Sequence, residues 1–273
     1  MSEFSSTRPK LVTPNLITDP EQMRQFADDN GFDGIDWSFD LAHLPATPAE
    51  ESRWVRRQEL LKPFEVRYHC PFLQVDIGHE DKDIQASAMD IFRRMIRLVS
   101  KSRRKFLSIH VGLGHNTTKI LSWESSIANL RQLVQFGIES GVTVCLENLI
   151  WGWSSKPNLF EKMVRRSGAA VTFDFGHAWS CEAIESQTYA VKDFITPHAD
   201  RVVNAHIYHK EVSGVGHFPP KSLEDITERL DLMKRTPCYW WLRELKNGED
   251  LMATKKIVEE YLERSKDEAR GNR

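Results

Sequence analysis

Short apolar or β-branched runs recur along the whole chain, separated by segments whose apolar residues repeat at helical spacing. The runs are "KLVTPNLI" (10–17), "FDGIDWSF" (32–39), "FEVRYHCPF" (64–72), "KFLSIHVGL" (105–113), "VTVCLENLI" (142–150), "AAVTFDFG" (169–176), "RVVNAHIYH" (201–209) and "CYWWLREL" (238–245). Their length and their content of Val, Ile, Phe and Trp predict strands. The intervening segments carry helix punctuation. Residues 19–31 open on Asp19 and Pro20 and close on Gly31, and residues 123–141 place Ile127, Leu130, Leu133, Val134 and Ile138 on one face before Gly141. Residues 158–168, 222–237 and 250–265 follow the same pattern, and 266–273 read as a flexible tail.

Strands alternating with helices of this length build βαβ units with parallel pairing. Eight of them in 273 residues match an α/β fold of the (β/α)8 TIM-barrel type, as a single domain over 1–273. A doubly wound open sheet is the alternative, because local pattern does not reveal closure. Nothing in the chain reads as a linker or repeat that would divide it.

Composition narrows the function classes. A net charge of −2 gives no general attraction to nucleic acid or to an anionic membrane, and the basic run 93–105 reads as a solvated helix face. The four cysteines lie far apart with no CxxC pair, which suits reduced thiols in a cytoplasmic protein. The first residues hold no apolar leader segment and no run approaches transmembrane length, so no membrane association is expected.

In a barrel the chemistry sits at the C-terminal ends of the strands. There the runs place His69, His110, Glu147, Asp174 with His177 just after, His206, His209 and Glu244. Glu147, Asp174, His206 and Glu244 together suit one divalent ion, Mn2+, Mg2+, Co2+ or Zn2+, through carboxylate and imidazole donors without a thiolate. A carboxylate on a buried strand end carries a desolvation cost that a bound cation offsets. Taken singly each has a plainer reading: a core histidine, a helix cap, or for Glu244 a partner of Arg243. His43, His79, His115 and His198 read as surface or loop residues. Trp151, Trp153, Trp240 and Trp241 read as barrel packing before substrate wall.

The segments "GFDGIDW", "YHCPF", "SIHVG", "CLENL", "TFDFGHAW", "NAHIYH", "GVGHFPP" and "LREL" resemble the xylose isomerase-like TIM-barrel superfamily, which holds sugar isomerases and epimerases together with endonuclease IV. The resemblance implies metal ligands at Glu147, Asp174, His206 and Glu244. It implies that His177, in a D-x-x-H arrangement, holds substrate or a further metal. His69 and His110 look like the histidines that endonuclease IV devotes to an additional zinc, and His217 like the histidine of its D-x-H element. Val215 stands where that element has its aspartate. Asp36 stands where many relatives have Glu, and Lys210 is offered where ketose epimerases use an arginine.

The expectation is a divalent-metal-dependent isomerase or epimerase of a small sugar or polyol derivative. Glu147 and Glu244 would be the catalytic pair, moving a proton through a metal-stabilised enediolate, and His69, His110, His177 and His217 would bind substrate. A dehydratase of a keto-polyol would use the same parts. The alternative is a metal-dependent phosphodiester hydrolase of endonuclease IV type, although nucleic acid is not expected as a partner. A barrel used only for binding is a third class. A homo-oligomer stays open.

Overall fold

The computed structural model describes residues 8–71, 76–113, 117–212 and 214–271. Strands β1 (Lys10–Pro14), β2 (Gly34–Ser38), β3 (Glu65–His69), β4 (Phe106–Ile109), β5 (Thr143–Glu147), β6 (Ala170–Asp174) and β7 (Val202–His206) are followed by a small hairpin, β8 (Lys210–Val212) and β9 (Gly216–Phe218), and then by β10 (Trp240–Leu242). All but the hairpin form one closed parallel barrel in the order β1-β10-β7-β6-β5-β4-β3-β2. Pairing of β1 with both β2 and β10 closes the ring, which decides against an open sheet.

The helices between them form where caps and apolar faces coincide. Helix α1 (Pro20–Asp29) starts on Asp19, whose side chain accepts from the amides of Glu21 and Gln22. Helix α2 (Pro48–Glu59) begins with a capping box between Thr47 and Glu50. Helices α3 (Lys82–Ser100) and α4 (Trp123–Glu139) are capped by Asp81 and Ser122, and α5 (Pro157–Ser167) ends at Gly168 with φ +79. Two short helices, α6 (Phe175–Ser180) and α7 (Glu182–Glu185), follow β6. The predicted helix 222–237 is shorter than expected: a 3-10 turn at Leu223–Asp225 precedes α8 (Thr227–Met233). Helix α9 runs from Gly248 to Gly271, into the stretch read as a tail. Among the described residues no helix is long and apolar enough to cross a membrane.

Side chains alternate between the two sides of each strand. Tyr68 points to the helical layer, stacking on Phe39 and Trp54 at 5.8 and 5.5 Å between ring centres. Arg67, one residue earlier, lies inside the barrel and is 1 % exposed. Its guanidinium donates to Val203 O (2.9 Å), Glu65 (3.2 Å) and Asn204, and it stacks 3.9 Å from the Phe106 ring centre. Above it Ser108, Thr172 and Asn204 form a buried hydroxyl–amide layer, with Ser108 Oγ 2.6 Å from Thr172 Oγ1. Two residues further along each strand the inward positions are His69, His110, Asp174 and His206. The barrel interior is therefore polar over much of its length, with one small apolar cluster of Val12, Trp240 and Leu242, and the main apolar core lies between strands and helices. Trp241 belongs to that packing at 2 % exposure, whereas Trp240, at 0 %, lies inside the barrel with Val12 and Leu242, against the Arg67 guanidinium.

Removing one partner of a buried, hydrogen-bonded charge strands the other. Arg67→Ala would leave Glu65 without its internal cation and the carbonyl of Val203 without its donor. The expected loss is about 3–5 kcal/mol of unfolding free energy, read from urea denaturation. A midpoint matching wild type would show that Arg67 does not brace the barrel floor.

Candidate metal centre

The strand ends bring together the metal-ligating and substrate-binding residues expected from the sequence. His69 closes β3, Glu147 β5, Asp174 β6 and His206 β7. His110 follows β4 directly, Glu244 stands two residues past β10, and His177 lies in α6. Parallel register sets Asp174 beside His206, and His206 beside Leu242 of β10.

Glu147 is the hub. Its Oε2 is 2.7 Å from His69 Nε2 and 3.4 Å from His110 Nε2, while Oε1 is 3.3 Å from His206 Nδ1 and 3.4 Å from His177 Nδ1. At 1 % exposure the carboxylate has no solvent to turn to. Burial pushes its pKa up, but the charges of His206, His69 and His110 outweigh burial and hold it well below the usual range. The histidines respond in kind. Burial would lower His69, yet Glu147 raises it to about 8. His110, His177 and His206 rise well above the ordinary imidazole value against the same desolvation, His110 beside Cys70 and Glu147, His177 beside Asp174 and Glu147, His206 beside Glu147 and Glu244.

Asp174 has two tasks. Its Oδ1 accepts from the His177 amide at 2.7 Å and so caps α6, leaving Oδ2 for the site. Asn148 locks the two neighbouring strand ends by donating to Asp174 O (2.9 Å) and accepting from Asp174 N (2.8 Å). Gly176 is required by clearance: a Cβ there would lie 1.9 Å from the Tyr208 ring. Below the site Trp240 Nε1 donates to Asp36 Oδ2 at 3.0 Å, so the Asp36 carboxylate serves the barrel interior.

The donor set fits a cation on an observation independent of residue type. His206 Nδ1 lies 2.9 Å from Glu244 Oε2, 3.3 Å from Glu147 Oε1 and 3.5 Å from Asp174 Oδ2. None of these approaches is aligned as a hydrogen bond, and Asp174 Oδ2, both His206 nitrogens and Glu244 Oε2 are buried without a hydrogen-bond partner. Such convergence without donor–acceptor alignment is how ligands surround an ion. One donor atom from each of Glu147, Asp174, His206 and Glu244 falls within a mutual 4.8 Å. His69, Glu147 and His206 form a second such group, His69, Cys70 and His110 a third, and His177, Glu211 and His217 a fourth.

Two members of these groups carry no signal that singles them out in the sequence. Glu211 sits on β8 opposite His217 of β9, and its Oε2 is 2.6 Å from His177 Nε2 and 3.9 Å from His217 Nε2. It supplies a carboxylate beside His217, where the chain has Val215 instead of an aspartate. Its only mark is its offset from the hairpin turn around Gly214 and Gly216. Cys70 follows His69, and its thiol lies within 4.8 Å of a ring nitrogen of His110. Cys145 and Cys238 are pushed up to about 12 by burial, whereas at Cys70 burial is outweighed by His110 and His69 acting together, which lower the pKa. All four thiols are free.

Other histidines lie elsewhere. His43 pairs with Asp40 on the surface, His79 accepts from the Asp81 amide, and His209 lies by Arg229 and Asp225. His198 departs from expectation: it is buried at 4 % exposure, its ring 5.4 Å from Phe160 in the helical layer. His115 lies outside the described residues.

A model of the xylose isomerase-like TIM barrel family matches residues 24–232. The chain belongs to that family. The Methanocaldococcus jannaschii protein MJ0008 is 29 % identical over 198 residues, which is 72 % of this chain and 80 % of that protein. Among solved structures a D-tagatose 3-epimerase-like protein superposes with a TM-score of 0.71 at 17 % identity, covering 95 % of this chain and 99 % of its own. L-ribulose 3-epimerase follows at 0.70 and 18 %, covering 97 % of both chains. Endonuclease IV from Thermus thermophilus gives 0.66 at 14 %, covering 94 % of this chain and 100 % of its own. At these identities the likeness is one of fold.

Imidazole must lose its proton to bind a metal. In the metal-free protein His69 holds that proton up to about pH 8, so cation affinity is expected to rise with pH through that value and fall below it. The rise should be roughly tenfold per pH unit for each proton displaced. Calorimetric titration with Zn2+ in buffers of different ionisation enthalpy measures both affinity and proton release. A flat profile with no proton release would show that none of the centre's imidazoles gives up a proton to bind the ion.

Proposed function

We propose that the protein is a divalent-metal-dependent isomerase or epimerase acting on a small sugar or polyol derivative. The observation that carries this reading is the pair Glu147 and Glu244. Their oxygens reach the same nitrogen of His206, at 3.3 and 2.9 Å, from β5 and from the end of β10, with β6 and β7 between them. Two carboxylates converging on one locus from separate strands are what proton removal and return at a carbon next to a carbonyl requires. Glu147, Asp174, His206 and Glu244 would hold the ion, which supplies Lewis acidity toward adjacent substrate oxygens.

The chain's own groups divide the remaining work. Glu244 has a side chain 23 % exposed, so it faces the open mouth and is placed to meet the substrate C–H. Glu147 is fully enclosed and takes or returns the proton from the inner side. His177, held by Asn148 O at 3.0 Å and by Glu211, and His217, held by Glu244 O at 2.7 Å, present imidazoles to substrate hydroxyls. His69 and His110 face Glu147 and act by orienting it. The epimerases among the structural neighbours support the sugar reading by fold.

A second reading is favoured by one specific feature. His69 and His110 on one side of Glu147, with the His177–Glu211–His217 group near the other, extend the donor set beyond a single ion. Multinuclear centres of that kind suit hydrolysis of phosphate esters.

The test is solvent exchange. Incubated in D2O with Mn2+ or Co2+ and a panel of ketoses and keto-polyols, the wild type should wash deuterium into the carbon beside the carbonyl of one member. Glu147→Gln and Glu244→Gln should each slow that exchange by about 10²–10⁴-fold. Undiminished exchange in either variant would sink its role. Cleavage of a phosphodiester panel with no exchange on any sugar would replace the first reading by the second.

A further inference from the structure

We propose that Cys70 is a thiolate ligand of a second cation site behind Glu147, formed with His69 and His110, and that this site selects a borderline-soft ion such as Zn2+ over Mg2+ or Mn2+. The proposal rests on the reading of the barrel mouth as a metal centre, and on neither substrate class in particular.

The geometry is local and constrained. One donor atom each from His69, Cys70 and His110 falls within a mutual 4.8 Å, the span of a single coordination sphere. The backbone of residue 70 is fixed on both sides: its amide donates to Ser108 O at 2.9 Å, and its carbonyl faces His69 Nδ1 at 2.6 Å. The thiol lies within that span of the His110 ring, whose Nε2 is also 3.4 Å from Glu147 Oε2. Glu147 Oε2 lies beside both imidazoles, 2.7 Å from His69 and 3.4 Å from His110. Two imidazoles and a thiolate are three of the four donors that zinc accepts in a closed site.

The consequences separate this locus from the open one. Cys70 is 1 % exposed and His69 5 %, so neither a substrate nor bulk water reaches it. An ion there would hold Glu147 by Oε2 and leave Oε1 to the His206 side. Thiolate is soft, and the hard ions Mg2+ and Mn2+ gain little from it, so the donor type sets the selectivity. His/carboxylate donors alone, as at Glu147, Asp174, His206 and Glu244, carry no such preference.

The experiment uses the full chain, stripped with a chelator and reloaded with Co2+ or Zn2+. The cobalt form should show a near-ultraviolet sulfur-to-cobalt charge-transfer band, lost in Cys70→Ser, together with visible ligand-field bands that the variant retains. Zinc-edge X-ray absorption of the wild type should show a sulfur neighbour at about 2.3 Å, a measurement independent of whether the variant folds. Ligand-field bands without charge transfer, and a zinc shell of nitrogen and oxygen alone, would overturn the thiolate site and leave the metal reading of the mouth standing. Failure to take up either ion would overturn both.

Discussion

A carboxylate with no access to water at the centre of a barrel must be surrounded by positive charge, and Glu147 imposes that requirement on everything near it. An uncompensated ion in that position would cost several kcal/mol, a large part of the stability of an ordinary domain. Compensation comes from four imidazoles carried by β3, by the residue after β4, by α6 and by β7. No single βα unit could supply them. Closure of the barrel is what brings these groups together, so the site exists only in the complete fold.

The same constraint runs down the barrel axis. Inward positions step by two residues along each strand, from Arg67 to His69, Ser108 to His110, Thr172 to Asp174 and Asn204 to His206. The lower layer is largely satisfied within itself: hydroxyls, an amide and a guanidinium meet one another and Glu65, and Arg67 Nη2 alone of that set is left without a partner. The upper layer is not, since several of its buried nitrogens and oxygens approach closely without forming hydrogen bonds. A floor held mainly by its own hydrogen bonds under a mouth whose donor atoms converge without them is the division expected of a scaffold that holds an ion. The D-F-G-H stretch at the end of β6 condenses this division: Asp174 caps a helix with one oxygen and offers the other, Gly176 clears the Tyr208 ring, and His177 returns to Glu147.

Much of this is legible in the residues, because strand ends are local features. Eight β-rich runs with helical spacers predict the barrel, and polar residues at the ends of those runs predict its mouth. Glu211 is not legible, because its position depends on an antiparallel hairpin of two three-residue strands, too short for a periodic signal, whose closure sets Glu211 opposite His217. Cys70 is hidden differently. Spacing along the sequence reveals thiols that pair with neighbours, whereas its partner His110 directly follows the next strand, and β3–β4 register alone joins them. His198 reads as a surface residue because hydrophobic spacing does not foretell that the 3-10 segment carrying it turns inward against Phe160.

Fold likeness to both epimerases and an endonuclease IV leaves the chemistry to the donors themselves, since function belongs to the site and not to the barrel. Here the two candidate acid–base carboxylates are unequal. Glu147 has both oxygens engaged by imidazoles and no exposure, so any proton it accepts must displace an existing contact. Glu244 keeps one side toward the open mouth, with His217 resting on its own carbonyl. Efficient proton transfer needs a base that meets the substrate without first breaking a strong interaction. Under the proposed acid–base roles, that asymmetry gives the first proton removal to Glu244 and leaves the return from the inner side to Glu147.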